Sequence, residues 1–236
     1  MIFIGLDVSK ISTALTIENN DITKLYCYST KKDSNIWVKN TNDFIIYRHI
    51  NYNYNKEKDY SKSELLKLNE FDNITDLIIK DILDNYNMLD SIRIAIEGFS
   101  YNSKGPIFDL IEFTTILKYK LMTKMVTYTS IEIISPMSLK METCKMIYEP
   151  RIEIKGKRVI KEIIHHENDK GKNANNFDKW DMFFAFLKSN INTPLKLWCL
   201  EYEENITKNK DLPKPIDDIV DSLFLKEIIK NKYKKP

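Results

Sequence analysis

Two short apolar runs in this chain each end in a carboxylate. Ile2-Phe3-Ile4-Gly5-Leu6 is followed by Asp7, and Ile92-Arg93-Ile94-Ala95-Ile96 by Glu97. Their length and β-branched content predict central strands. A carboxylate at the end of a buried strand is costly unless a positive partner shares its space. A third acidic run, Asp217-Asp218-Ile219-Val220-Asp221, lies in a stretch with helical spacing. Asp218 and Asp221 there are three apart and share a face. Two strand-end acids and a helix-borne pair suit a site for divalent metal, because hard cations take oxygen ligands and two-metal nucleases use several carboxylates.

Each acid also has a plainer reading. Asp7 could close a turn by bonding backbone near Ser9. Glu97 could be an edge residue paired with a lysine, with Gly98 letting another group approach the backbone. Asp217 or Asp218 could cap the helix or complement its dipole, which does not require Asp221.

Elsewhere the pattern predicts a mixed α/β domain. Thr13–Ile17, Ile22–Tyr28 and Phe44–His49 read as further extended segments, with Lys31–Asp43 and Asn51–Lys62 as polar connections. Ser61-Lys62-Ser63-Glu64 resembles a capping box before a helix carrying Ile74, Leu77, Ile78, Ile82 and Leu83. Gly105-Pro106 opens a second helix with Ile107, Leu110, Ile111, Thr114, Leu117 and Leu121 on its inner stripe. Ile131–Ser135 reads as a strand ended by Pro136. Residues 145–172 have the look of an insertion: Ile152 and Ile154 alternate with charges toward a turn at Gly156, and the half after it suits either strand or helix. Trp180–Leu187 reads as a helix, Glu201–Asp211 as a charged linker, and Ile216–Lys230 as the last helix. One domain over 1–236, with that insertion, is expected.

Charge narrows the partners only locally. Net charge is +2, with 36 basic and 34 acidic residues. The segment holding Lys155, Lys157 and Arg158 is basic enough to track phosphates, though a solvated face would look the same. Five glycines leave little material for phosphate-binding loops. Cys27, Cys144 and Cys199 are odd in number and far apart, which fits a reducing compartment, and they make no zinc pattern with the three histidines. No apolar run spans a membrane, and Met1–Gly5 lacks a basic region and cleavage site. An intracellular protein is expected.

Taken in order, the motifs resemble the RuvC-like Holliday junction resolvases of the RNase H-like superfamily, in the style of phage or viral members. Ile4-Gly5-Leu6-Asp7 resembles the first-strand motif, Ala95-Ile96-Glu97 the second, and Asp218-Ile219-Val220-Asp221-Ser222-Leu223 the closing helix. Lys104 through Leu121 is similar to the central helix. Ser135-Pro136 through Lys140 and Lys179-Trp180-Asp181-Met182 are similar to the family's two lysine-bearing segments. The chain departs in an asparagine-rich stretch before Lys179, in the 145–172 insertion, and in Ser222 where alanine is common.

The resemblance implies an RNase H-like fold with a mixed five-stranded sheet flanked by helices. It implies Asp7, Glu97, Asp218 and Asp221 as catalytic ligands of two Mg2+ or Mn2+ ions, with Lys140 and Lys179 near the scissile phosphates. It further implies branched DNA, above all four-way junctions, as substrate, and a homodimer, for which the helix Pro106–Lys124 is a candidate interface. In a viral or phage protein the location would be the host cytoplasm. Phe99 and Tyr101 could stack on an unpaired base or join the core. With Lys104, Lys155, Lys157 and Arg158 they complete the candidate DNA contacts. Three other classes compete: a transposase with a related acidic core, an actin-like or sugar-kinase-like ATPase, and a non-catalytic DNA-binding scaffold. The first usually has a further domain, the second needs glycine-rich loops, and the third would be expected to lose an acid.

Overall fold

The computed structural model describes residues 1–30, 36–86, 91–99, 107–125, 129–148, 150–155, 158–164, 177–209 and 211–234. In chain order the elements are β1 (Ile2–Asp7), β2 (Ser12–Asn19), β3 (Ile22–Ser29), α1 (Ile36–Thr41), β4 (Ile46–His49), α2 (Tyr60–Leu83), β5 (Ile92–Glu97), α3 (Ile107–Lys124), β6 (Thr129–Ile134), α4 (Pro136–Ile147), β7 (Pro150–Lys155), β8 (Arg158–Ile164), α5 (Lys179–Lys188), α6 (Pro194–Glu201), α7 (Glu203–Thr207) and α8 (Ile216–Lys234).

The main sheet runs β4-β3-β2-β1-β5-β6. β1 pairs antiparallel with β2 and parallel with β5, and β6 continues the parallel side. This is a mixed sheet flanked by helices, as expected, with six strands rather than five. The extra edge strand is the short β4, parallel to β3.

Alternation along the strands decides what faces what. Ile2, Ile4 and Leu6 of β1, with Ile92, Ile94 and Ile96 of β5, pack on the side of α2 and α3. Phe3 and Ala95 point to the other side and join the core built around α4, α5, α6 and α8. With a side-chain period of two, Asp7 and Glu97 fall on the α8 side. Gly5 and Ala95 are register partners in the middle of that face. A β-carbon at Gly5 would stand 1.9 Å from the Ser222 carbonyl oxygen and 2.7 Å from the Lys226 backbone nitrogen. The glycine therefore lets α8 lie directly against β1. Ser222 closes the contact by sharing a hydrogen bond with Thr16 of β2 at 2.7 Å.

Several sequence expectations need correction. The N-cap of α2 is Asp59, which accepts from the Lys62 backbone, and not Ser61. On α3, Thr114, Leu117 and Leu121 of the expected inner stripe are buried, but Ile111 is exposed and Phe113 is buried in its stead. The polar stretch 31–43 contains α1, anchored by buried Val38 and Thr41. The expected linker after Glu201 contains α7, which buries Ile206. Residues 158–164 form a strand, paired with β7 in a separate two-stranded sheet. The last helix runs on to Lys234.

Candidate metal centre

Three elements deliver the acids to one place. β1 and β5 end side by side, and their last residues are Asp7 and Glu97. The first two turns of α8, seated over Gly5, bring Asp217, Asp218 and Asp221 to the same strand ends. Asp7, Asp217 and Asp218 are buried, whereas Glu97 and Asp221 are half-buried. Asp7 lies within hydrogen-bonding reach of Glu97 and feels the charges of Asp218 and Asp221. Asp7 is not the turn residue: Ser9, Ser12 and Thr13 close the β1–β2 turn among themselves.

The electrostatics show how unfavourable this gathering is without compensation. Burial, then Glu97, Asp218 and Asp221, push the Asp7 carboxyl well above the usual range. Asp221 is pushed up to about 8, by burial first and then by Glu97, against the pull of Lys179. Asp218 is also raised, burial outweighing the opposing pull of Lys214. A like-charge cluster taken out of water holds its protons unless cations replace them.

Two lysines supply part of the compensation. Lys179, the first residue of α5, donates to Asp217 Oδ2 at 2.5 Å. Burial and Lys214 push its ammonium down, but Asp217 and Asp221 outweigh them and hold it above its usual range. Its placement is fixed by the Asp178–Asp181 capping box that starts α5. Lys214, just before α8, donates to Asp218 Oδ1 and lies 3.1 Å from Asp217 Oδ2. The pocket thus sets five carboxylates against two ammonium groups. Asp217 Oδ1 and Asp218 Oδ2 are buried without a hydrogen-bond partner.

That donor set fits a hard divalent cation: it is all oxygen, it carries excess negative charge, and two of its buried oxygens lack partners. Among the described residues, no three acidic, histidine or cysteine side chains already stand in a coordinating arrangement. The nearest acids of α8 are turned to lysine instead.

None of the remaining candidates makes a described contact with these acids. Lys140 is half-buried in the second turn of α4 and has no ion-pair partner among the described residues. Phe99 is half-buried with the Lys118 ammonium 5.1 Å from its ring centre. Lys155 and Arg158 are register partners at the adjoining ends of β7 and β8. Tyr101, Lys104 and Lys157 lie outside the described residues. Sequence reasoning missed Lys214. The available signal was its i,i+4 spacing to Asp218, overlooked because the flanking Pro213 and Pro215 read as punctuation before a helix.

No protein-family model matches the chain, and no curated protein matches it. Two solved structures are similar to it. Thermus thermophilus RuvC has 10% sequence identity and a TM-score of 0.45, covering 99% of this chain and 96% of that one. T. thermophilus RuvC in complex with Holliday junction substrate gives 8% and 0.44 with the same coverage. Likeness at this level carries no statement about chemistry, which is left to the pocket itself. No helix among the described residues is long and apolar enough to cross a membrane.

Proposed function

We propose that this chain is a metal-dependent endonuclease that cuts four-way and other branched DNA. The observation that carries the proposal is the meeting of Asp7, Glu97, Asp218 and Asp221 at one end of the sheet, with Asp218 Oδ2 buried and without a partner. These four residues would hold two magnesium or manganese ions. When bound, such ions supply an activated water and charge stabilisation at the leaving oxygen of a phosphodiester.

The chain's own groups do the rest. Asp7 and Glu97, fixed by paired strands, and Asp218 and Asp221, fixed by a packed helix, keep the carboxylates in place before substrate arrives. Lys179, tied to Asp217 with half of its side chain exposed, is placed to bind a phosphate oxygen. Lys140, on α4, would supply a second ammonium near the scissile phosphates. The paired strands β7 and β8, read as part of an insertion, would contact the duplex arms through Lys155, Lys157 and Arg158, while Phe99, Tyr101 and Lys104 would contact the branch. The preference for branched DNA rests on the ordered motif resemblance. A homodimer would present two equivalent sites to a four-way junction. The outward stripe Phe108, Ile111, Tyr119 and Met122 on α3 offers an apolar surface for it.

The test is cleavage of labelled four-way junction, flap and linear duplex by the purified chain in magnesium. Paired nicks near the crossover, confined to the junction, are expected. Equal cutting of all three would make the protein a broader nuclease. ATP turnover without DNA cutting would reject the proposal.

A further inference from the structure

Lys214 occupies the position in this pocket that a bound cation would contest. Its ammonium donates to Asp218 Oδ1 and reaches Asp217 Oδ2, so one positive charge bridges two acids buried at 1% and 3% exposure. Asp218 is one of the four residues assigned to metal. An ammonium and a divalent ion cannot share its carboxylate at close range without strong repulsion, because magnesium holds oxygen ligands at about 2.0–2.1 Å. Each of the two acids keeps one buried oxygen without a partner, but Asp217 Oδ2 faces Lys179 at 2.5 Å as well as Lys214, whereas Asp218 has Lys214 alone. Lys214 therefore has a second acceptor within reach. Its side chain is 30% exposed, which leaves it room to move.

We propose that Lys214 is the resident counter-cation of the metal-free pocket, and that it gives up Asp218 to the incoming ion and docks on Asp217. Asp217 then serves as an anchor for two lysines and not as a metal ligand. The inference rests on the reading of the pocket as a metal centre. It assigns Lys214 a positioning role: the ammonium keeps the acids together until the ion arrives and competes with it for Asp218.

The experiment is calorimetric titration of the metal-free full chain with Mn2+, paired with thermal melting in chelator and in saturating Mn2+. Wild type is compared with Lys214→Met, Lys214→Gln and Lys214→Arg. Removing the charge is expected to tighten Mn2+ binding by about tenfold, as loss of a neighbouring unit charge in a partly screened pocket implies. It should also lower the melting temperature in chelator, with the gap closing in saturating Mn2+. Lys214→Arg should stay near wild type. Should Lys214→Met unfold, Lys214→Gln, which keeps hydrogen-bond donors, still reads the affinity. If wild type binds Mn2+ and the neutral variants bind it equally or less tightly, Lys214 is no competitor and the inference is overturned. If wild type binds no Mn2+, the metal-centre reading fails and this inference falls with it.

Discussion

Helix α8 buries charge at two places. In its second half, Lys226 is 1% exposed and its ammonium is shared between Glu18, at 2.7 Å, and Glu227. Lys230 adds a second bond to Glu18 at 2.6 Å. Two turns earlier, Asp217 and Asp218 are buried nearly as deeply, yet each retains an oxygen without a partner, and Asp7, Glu97 and Asp221 crowd in beside them. The α2–α3 interface follows the first pattern: Lys67 is held by Glu64, Asp109 and Glu112, and Lys120 by Asp72 and Asp76. Closed networks, in which every buried charge is matched, hold elements together. The open one, with negative charge left over, is the one suited to bind something.

The largest expected effect breaks the open cluster. Asp7→Asn or Asp218→Asn should abolish cleavage in a gel assay, losing more than the roughly 100-fold typical of a group that only supports a ligand. Junction binding, read by mobility shift, should persist. Normal cutting by Asp7→Asn would mean that the pocket is misassigned.

Breaking the closed cluster should act on stability instead. Lys226→Met leaves Glu18 with Lys230 alone and should cost about 3 kcal/mol in denaturant unfolding, the low end for removing one member of a buried pair. The chain that remains folded should still cut. Ser222→Ala tests the seat of α8 on the sheet. It leaves the buried Thr16 hydroxyl without its partner and should cost about 1–2 kcal/mol, again with cleavage retained.

Acidity sharpens the contrast in a different way, through the sign of its effect on stability. Asp221 titrates at about 8 in the folded, metal-free chain and in the ordinary aspartate range when unfolded. The folded state therefore binds the extra proton between those values, and melting temperature in chelator should rise as pH falls through about 8. Asp221→Asn should flatten that rise. Glu18 has the opposite sign. Burial pushes its carboxyl up, but Lys226 and Lys230 outweigh it and hold it below the usual range. Its contribution is complete at neutral pH and fades only in acid, below the ordinary glutamate range.

The strand-end acids were legible in sequence because a two-residue period carries facing information locally. Once Ile2, Ile4 and Leu6 are taken as core, Asp7 must lie on the opposite face, and Ile92, Ile94 and Ile96 do the same for Glu97. The i,i+3 spacing of Asp218 and Asp221 is equally local. What could not be read is what only the fold brings together. Nothing near Gly5 shows that the Ser222 carbonyl will press on it, and nothing near Lys179 shows that its partner is Asp217. Short elements were lost for another reason. In α1, the apolar run Ile36-Trp37-Val38 is too brief for a periodic signal against polar neighbours. Its packing comes from afar, with Trp37 meeting Trp198 edge-on at 6.4 Å. The sequence reading also passed over α6, although Thr193 ahead of Pro194 was an available cap signal.

The seat of α8 on Gly5 ties the chemistry of the pocket to the solidity of the whole molecule. The helix that presents Asp218 and Asp221 also contributes Ile219, Val220, Leu223, Phe224 and Leu225 to one of the two cores. It cannot swing or fray locally as a surface loop would. Its backbone amides in that stretch should exchange with solvent only when the protein opens globally, so the spacing of the acids persists until the fold itself gives way.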